Sequence, residues 1–196
     1  MSRQTHSSLG FSLVELMVSV SVIAILVLIG IPSYQTWIRN SRIRTAAESI
    51  QNGLRIARSE ASQRGANVRF EFNSASGTGA DWKVCALNTA TTCGDVGSTV
   101  IQSYSSSEGA ADVRVGADTA IGSYTTALIS GASAGAGVTF TALGRPSAYG
   151  TDSIIRIDAS NTQTNPRRLV VTLSSGGLTR MCDPQLALTV SPQGCQ

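Results

Sequence analysis

The sequence contains little of what catalysis or a nucleic-acid surface usually requires. Its single histidine, His6, lies close to the N-terminus, and lysine occurs only at Lys83. Without a further imidazole, the chain has no candidate for a Ser–His or Cys–His pair or for a histidine zinc site. The aspartates lack calcium-loop spacing, and the glycines between residues 131 and 137 do not link a strand to a helix as a phosphate loop does. We therefore predict no enzymatic activity, no cofactor and no metal.

Aromatic and charged residues are also scarce, at 5% and 14% of the chain. Together with abundant glycine, serine, alanine and threonine, this predicts a β-rich head with long loops and a thin core. The net charge of +3 is unevenly spread. Residues 33–64 carry six arginines against two glutamates, whereas residues 65–196 carry eight basic residues against nine acidic ones. The head is therefore not broadly basic.

An apolar run from Phe11 to Ile31 is the most pronounced feature that is present. It is interrupted by Glu15 and three serines. As a helix it would rise about 31 Å, close to the ~30 Å hydrocarbon core of a bilayer. An ionised side chain within such a run costs roughly 2.5–3.5 kcal/mol. Glu15 is therefore expected to have a partner.

The segment Gly10-Phe-Ser-Leu-Val-Glu15-Leu, between a short basic leader and an apolar helix, resembles the class III signal of type IV pilins and type II secretion pseudopilins. The resemblance implies cleavage after Gly10 by a membrane-embedded prepilin peptidase and N-methylation of Phe11. It also implies that Glu15 pairs with the terminal amine of a neighbouring subunit during assembly.

Two other interpretations of the N-terminus are a secretory signal peptide and an uncleaved anchor. The apolar run is too long for the first, and no A-x-A site lies near its end. Charge counting alone favours the opposite membrane orientation, with the C-terminal part inside, because Arg39, Arg42 and Arg44 follow the run while only Arg3 precedes it. The resemblance and the cysteines both favour an external C-terminal part.

Beyond Gly30 and Pro32, which predict a kink, apolar residues recur at helical spacing up to Arg64-Gly65. This stripe comprises Tyr34, Trp37, Ile38, Ala46, Ala47, Ile50, Leu54, Ala57 and Ala61. We expect its part from 46 to 61 to bury the sheet of the head, rather than to form a separate partner-binding face, and residues 33–45 to contact neighbouring helices. The predicted organisation is a leader at 1–10, a transmembrane and filament-core helix at 11–32, an amphipathic stem helix at 33–64 and a periplasmic head at 65–196.

From residue 67 the apolar period changes to two, which predicts strands. The predicted strands centre on 68–72, 82–86, 100–104, 113–115, 137–143, 154–157, 168–173 and 178–182, with long loops between 105 and 137. The order of the last strands resembles the GspH/FimT branch of the family, and the tail is similar to that of FimU-type minor pilins. The resemblance implies an α+β, pilin-like fold, in which a long N-terminal helix packs on a small antiparallel β-sandwich-like head.

Four cysteines, at 85, 93, 182 and 195, lack the tight spacing of a zinc or redox motif. Disulfides are the default in an exported domain, and reduced buried thiols are the alternative. Of the three possible pairings we choose the sequence-local one, Cys85–Cys93 and Cys182–Cys195.

Some FimT-type members capture DNA through a Gly-Arg-x-Arg turn, which corresponds here to Gly177-Leu-Thr-Arg180. Leu178 replaces the first arginine of that turn, so only the second is present, as Arg180. Arg167 and Arg168 lie nearby in sequence. Ordinary surface and sheet-edge contacts are the favoured interpretation of these arginines.

The sequence thus predicts a minor pilin of a type IV pilus or of its tip or priming complex. The protein would begin as a single-pass inner-membrane protein with a periplasmic head, and its expected partners are other minor and major pilins, the prepilin peptidase and the inner-membrane assembly platform. A type II secretion pseudopilin is the first alternative, and a DNA-binding minor pilin is the second.

Overall fold

The computed structural model describes residues 11–73, 79–128, 136–161 and 167–195. The chain divides into two compact units, Met1–Ile38 and Arg39–Gln196. The described residues form one helix and eight strands: α1 (Leu13–Arg64), β1 (Val68–Phe72), β2 (Trp82–Leu87), β3 (Ser98–Tyr104), β4 (Arg114–Asp118), β5 (Gly137–Phe140), β6 (Arg156–Ser160), β7 (Leu169–Leu173) and β8 (Thr179–Cys182). The predicted α+β class is confirmed.

The first unit contains the N-terminal part of α1, whose apolar side chains are solvent-exposed in the single chain. From Phe11 to Leu28, the large apolar residues are between 50% and 83% exposed. Ser19 and Ser21 donate their hydroxyls to the carbonyls of Glu15 and Met17, four residues earlier. Such bonds satisfy serine hydroxyls in a surface without water.

Among the described residues, no single helix is long and apolar enough to cross a membrane. Leu13–Leu28 and Ser33–Arg64 meet that requirement together, as a bent pair of helices. The break between them contains Gly30 and Pro32, the residues for which the sequence predicts a kink.

In the second unit, the stem part of α1 presents one apolar face to the core. Six predicted stripe residues are at most 1% exposed, namely Ala46, Ala47, Ile50, Leu54, Ala57 and Ala61. Ile43, which the predicted stripe omits, is fully buried one turn earlier. Tyr34 and Trp37 belong to the first unit, where they are 61% and 65% exposed.

Two four-stranded antiparallel sheets complete the head, with orders β3-β2-β1-β5 and β4-β6-β7-β8. Both sheets and the stem of α1 contribute to one apolar cluster. Helix and first sheet approach closely at Gly53, where an added Cβ would lie 2.8 Å from the Phe70 ring and 3.0 Å from the Trp82 ring. A small residue is needed there because the two aromatic rings leave no space for a side chain.

The predicted strands occur close to their expected positions, with one displacement. The strand predicted at 154–157 is β6, Arg156–Ser160, and all five of its residues are buried. Much of the predicted loop at 130–137 lies outside the described residues. Both disulfides adopt the sequence-local pairing, Cys85–Cys93 and Cys182–Cys195.

Candidate functional site

The first candidate site is the N-terminal segment around Glu15. Gly10 lies outside the described residues, and Phe11, the residue that cleavage would make terminal, is 83% exposed. Glu15 stands in the first turn of α1. A carboxylate in this position interacts favourably with the partial positive charge of the helix N-terminus. The geometry leaves Glu15 accessible to a cation from outside the chain.

Ser12 caps this helix, which the sequence analysis missed. The Glu15 backbone N–H donates to Ser12 Oγ at 3.2 Å, and the Leu16 N–H donates to the Ser12 carbonyl at 3.2 Å. The sequence does contain a signal for this cap, because Ser12 and Glu15 have the S-x-x-E spacing of a capping box. The helix therefore begins two residues after the predicted cleavage point.

The second candidate site comprises the three arginines proposed for DNA contact, and Arg168 is buried. Its Nη1 donates to Asp158 Oδ2 at 3.0 Å, and its Nη2 donates to the Tyr124 carbonyl. Its side chain is only 11% exposed. A guanidinium held in this way cannot track a phosphate backbone without leaving its partners.

Arg156 joins the same buried network. It is 2% exposed and donates to both oxygens of Asp158, at 2.8 and 2.9 Å. It also donates to the carbonyls of Ile121, Ser123 and Thr126, each at 2.8 Å. Two cations and one carboxylate thus attach the chain segment 119–128 to the second sheet.

Arg180 and Arg167 are more exposed, but both contact the C-terminal loop. Arg180 Nη2 donates to the Gly194 carbonyl at 2.7 Å and to the Pro192 carbonyl at 3.2 Å. Arg167 Nε lies 3.5 Å from Asp183 Oδ2. The three predicted DNA-contact residues therefore have structural partners, and none of these contacts indicates a phosphate-binding surface.

Two hairpin tips, one from each sheet, meet beside α1 at a contact that we call the Arg58 clasp, formed by Arg58, Gly144 and Gly177. Arg58 Nε donates to the Gly144 carbonyl at 3.2 Å. Gly177 has φ +78°, and an added Cβ would lie 2.2 Å from the Gly144 oxygen. The Gly177 turn is therefore required by close packing between the tips, independently of any ligand.

Glu71 is a buried carboxylate that the alternating pattern of β1 did not predict. It is 4% exposed and accepts from Arg69 Nε at 2.8 Å and from the Cys93 N–H at 3.2 Å. Lys83 Nζ lies 3.7 Å from its other oxygen. The carboxylate thereby fastens the loop of the Cys85–Cys93 disulfide to the first sheet.

Two groups of this unit have displaced pKa values. Hydrogen bonds from the Thr92 backbone and from the Thr91 and Thr92 hydroxyls lower the pKa of Asp95. Burial raises the pKa of Tyr104, with smaller contributions from Glu108 and Asp81, and the Ser49 hydroxyl opposes the shift. Within the described residues, no three or more His, Cys, Asp or Glu side chains are grouped to hold a metal ion.

A capped N-terminal helix with an exposed apolar surface, followed by a stem helix and two antiparallel sheets, defines a pilin-type subunit. Residues 6–31 match the prokaryotic N-terminal methylation motif. Residues 46–177 match the family described as type II transport protein GspH, and the chain belongs to this family. It is a family of structural pilin and pseudopilin subunits that assemble with one another, which confirms the resemblance seen in the sequence.

Solved structures of similar proteins include a pilin and a pseudopilin. The type IV minor pilin FimU of Pseudomonas aeruginosa PAO1 is 15% identical, with a TM-score of 0.48, over 82% of this chain and 99% of that chain. The minor pseudopilin EpsH from the type 2 secretion system of Vibrio cholerae is 12% identical, with a TM-score of 0.48, over 74% and 99%.

Proposed function

We propose that this protein is a minor pilin of a type IV pilus or of its tip or priming complex. One observation carries the proposal: apolar side chains from Phe11 to Leu28 are all at least half exposed in the single chain. Soluble monomers rarely expose a continuous surface of this kind. Lipid would cover it before assembly, and neighbouring helices would cover it afterwards.

The second unit does not need this surface for its own stability. Its apolar cluster begins at Ile43 and is closed by both sheets. The proposed organisation is therefore a leader at 1–10, a filament-core helix at 11–32, a stem at 33–64 and a periplasmic head at 65–196. The head is expected to determine which subunits lie beside this one.

Glu15 is the proposed assembly residue. Cleavage at Gly10 would place a new amine on Phe11, and a carboxylate in the first helical turn of a neighbouring chain could pair with that amine. In a water-poor filament core such a pair is held far more strongly than on a protein surface. The pair would set the axial register between adjacent helices.

The test is the recovery of the chain in filaments sheared from cells that express Glu15→Ala. We expect normal cleavage and membrane levels with a strong loss from the filament fraction. The matched control is Glu108→Ala, since Glu108 is an exposed carboxylate of the head. Recovery of Glu15→Ala equal to that of the control would contradict the assigned role.

A type II secretion pseudopilin is the second candidate, and the description of the matched family favours it specifically. A deletion strain separates the two functions, because loss of surface pili with intact protein secretion supports the minor pilin. The opposite pair of phenotypes supports the pseudopilin.

A further inference from the structure

A half-open cleft in the head has the chemistry of a carboxylate site. It has a volume of about 170 Å³ and lies between the stem helix, the start of β7, the end of β8 and the C-terminal loop. Arg44 and Arg167 contribute cationic side chains, Asp183 contributes one carboxylate, and Leu169 and Met181 line the cleft with apolar atoms. Gln193 adds a side-chain amide from the C-terminal loop.

Both guanidinium groups are only partly used by the protein. Arg44 Nε donates to Glu48 Oε1 at 2.8 Å, and Arg167 Nε lies 3.5 Å from Asp183 Oδ2. A guanidinium carries five N–H donors. Within the described part of the chain, the Nη groups of these two arginines have no acceptor, which leaves four N–H donors on each.

The shape and lining of the cleft indicate the kind of anion that fits. A planar pair of Nη groups matches the two oxygens of a carboxylate. Leu169 is 7% exposed and offers packing for a short aliphatic stem. The volume of about 170 Å³ is more than ten times the roughly 10–15 Å³ that admits one water molecule, which leaves room for the few heavy atoms of a glutamate side chain.

We propose that this cleft receives an acidic side chain, a glutamate or aspartate, from the head of a neighbouring pilin-type subunit. Charge complementarity supports this occupant, because the lining carries two arginines against the single carboxylate of Asp183. Glu48 and Asp183 contact the two arginines through Nε. The assignment of the carboxylate to a subunit rests on the proposed function, whereas the chemistry of the site does not. The C-terminal disulfide holds two walls of the cleft, Cys182 and the loop that carries Gln193, in fixed relation.

The cleft contains its own reporter, since Met181 lies in its lining and Met17 lies in the N-terminal helix. The full chain, labelled with ¹³C at its methionine methyl groups and held in detergent micelles, would be titrated with glutamate blocked at both peptide ends. The matched probe is glutamine blocked in the same way. We expect a saturable shift of the Met181 methyl resonance with glutamate only, with a Kd on the order of 1 mM, and no shift at Met17.

Arg44→Gln and Arg167→Gln should each weaken this binding by about tenfold, equivalent to about 1.4 kcal/mol. Arg44 is suited to the test because its side chain is 67% exposed and, among the described residues, it is paired only with Glu48, one turn along the helix. Arg145→Gln is the control, an exposed arginine outside the cleft, and should bind as the unchanged protein does. Equal shifts with glutamate and glutamine, or unchanged binding by both cleft variants, would overturn the site.

In cells, Arg44→Gln and Arg167→Gln should lower recovery in sheared filaments, and Arg145→Gln should not. Unchanged recovery of both cleft variants would overturn the assignment of the carboxylate to a neighbouring subunit. Failure of the unchanged chain to enter filaments would instead refute the proposed function, and the methyl titration would still decide the chemistry of the cleft.

Discussion

Asp158→Asn removes one negative charge from the buried network of the second sheet and changes the side chain's shape very little. Asp158 is fully buried and accepts from Arg156 Nε and Nη2, Arg168 Nη1 and the Leu128 N–H, at 2.8 to 3.1 Å. An asparagine keeps one acceptor oxygen but turns an NH₂ group toward cationic donors. Two guanidinium groups are then left in the protein interior without a counter-charge.

Breaking a buried ion pair by removing one partner costs about 3–5 kcal/mol. For a domain of this size, each kcal/mol lowers the melting temperature by about 2–4 °C, so the midpoint should fall by roughly 6–20 °C. Thermal unfolding followed by circular dichroism on the full chain in detergent measures this shift. The amide of Leu128, which donates to Asp158, should also lose protection from hydrogen exchange.

Asp152→Asn is the matched control, because Asp152 is an exposed aspartate of the same head. It should leave the melting temperature nearly unchanged. If the two variants melt within a degree or two of each other, the carboxylate of Asp158 does not hold the 119–128 segment and the reasoning is refuted.

Three further predictions concern the head. Among the described residues, Tyr104 carries a buried hydroxyl without a hydrogen-bond partner, so Tyr104→Phe should leave stability unchanged or raise it by up to about 1 kcal/mol. Because burial raises the pKa of Tyr104, the unfolded state loses the phenolic proton first, so stability should fall as pH rises from 10 through the folded-state value. A denaturation series from pH 9 to 12 should show this fall in the unchanged protein and not in the variant. Arg180→Ala should speed hydrogen exchange of the Gly194 amide, because Arg180 holds the C-terminal loop. It should not change the retention of DNA in a gel shift at any salt concentration. Salt-sensitive DNA retention that is lost in the variant would contradict this structural role of Arg180. Gly177→Ala should lower stability by about 1–3 kcal/mol in a urea titration because of its positive φ and close packing. Gly176→Ala is the control and should cost much less, because its added Cβ would lie 3.9 Å from Ser174 Oγ, an ordinary contact. Equal midpoints for the two variants would argue against the clasp.

The fold could largely be predicted from local patterns. Period-two alternation located β1 and β2, and a short aliphatic run located β7. The helical stripe located the buried face of the stem, and the short spacing of the cysteines favoured the pairing that occurs. These features depend on residues close together in sequence, so a single sequence contains them.

The buried charges could not be predicted in this way. Glu71 occupies a strand position that alternation leaves polar, and Arg168 directly precedes β7. Alternation alone does not reveal what covers the outer face of a sheet. The disulfide loop covers Glu71, and residues 121–126 cover the network around Arg156. In both cases the covering segment lies more than 20 residues away in sequence from the charged residue. A period-two pattern contains no information on such contacts.

The Arg58 clasp affects how relatives with a Gly-x-x-Arg turn should be sorted. Gly177 is required because two hairpins touch, and Arg180 holds the C-terminal loop. A sequence pattern built on this glycine and the final arginine would therefore select proteins that share this packing, whether or not they bind DNA. The position between them that differs here, Leu178, is 64% exposed. A genome survey for DNA-capturing pilins should weight that single position above the rest of the turn.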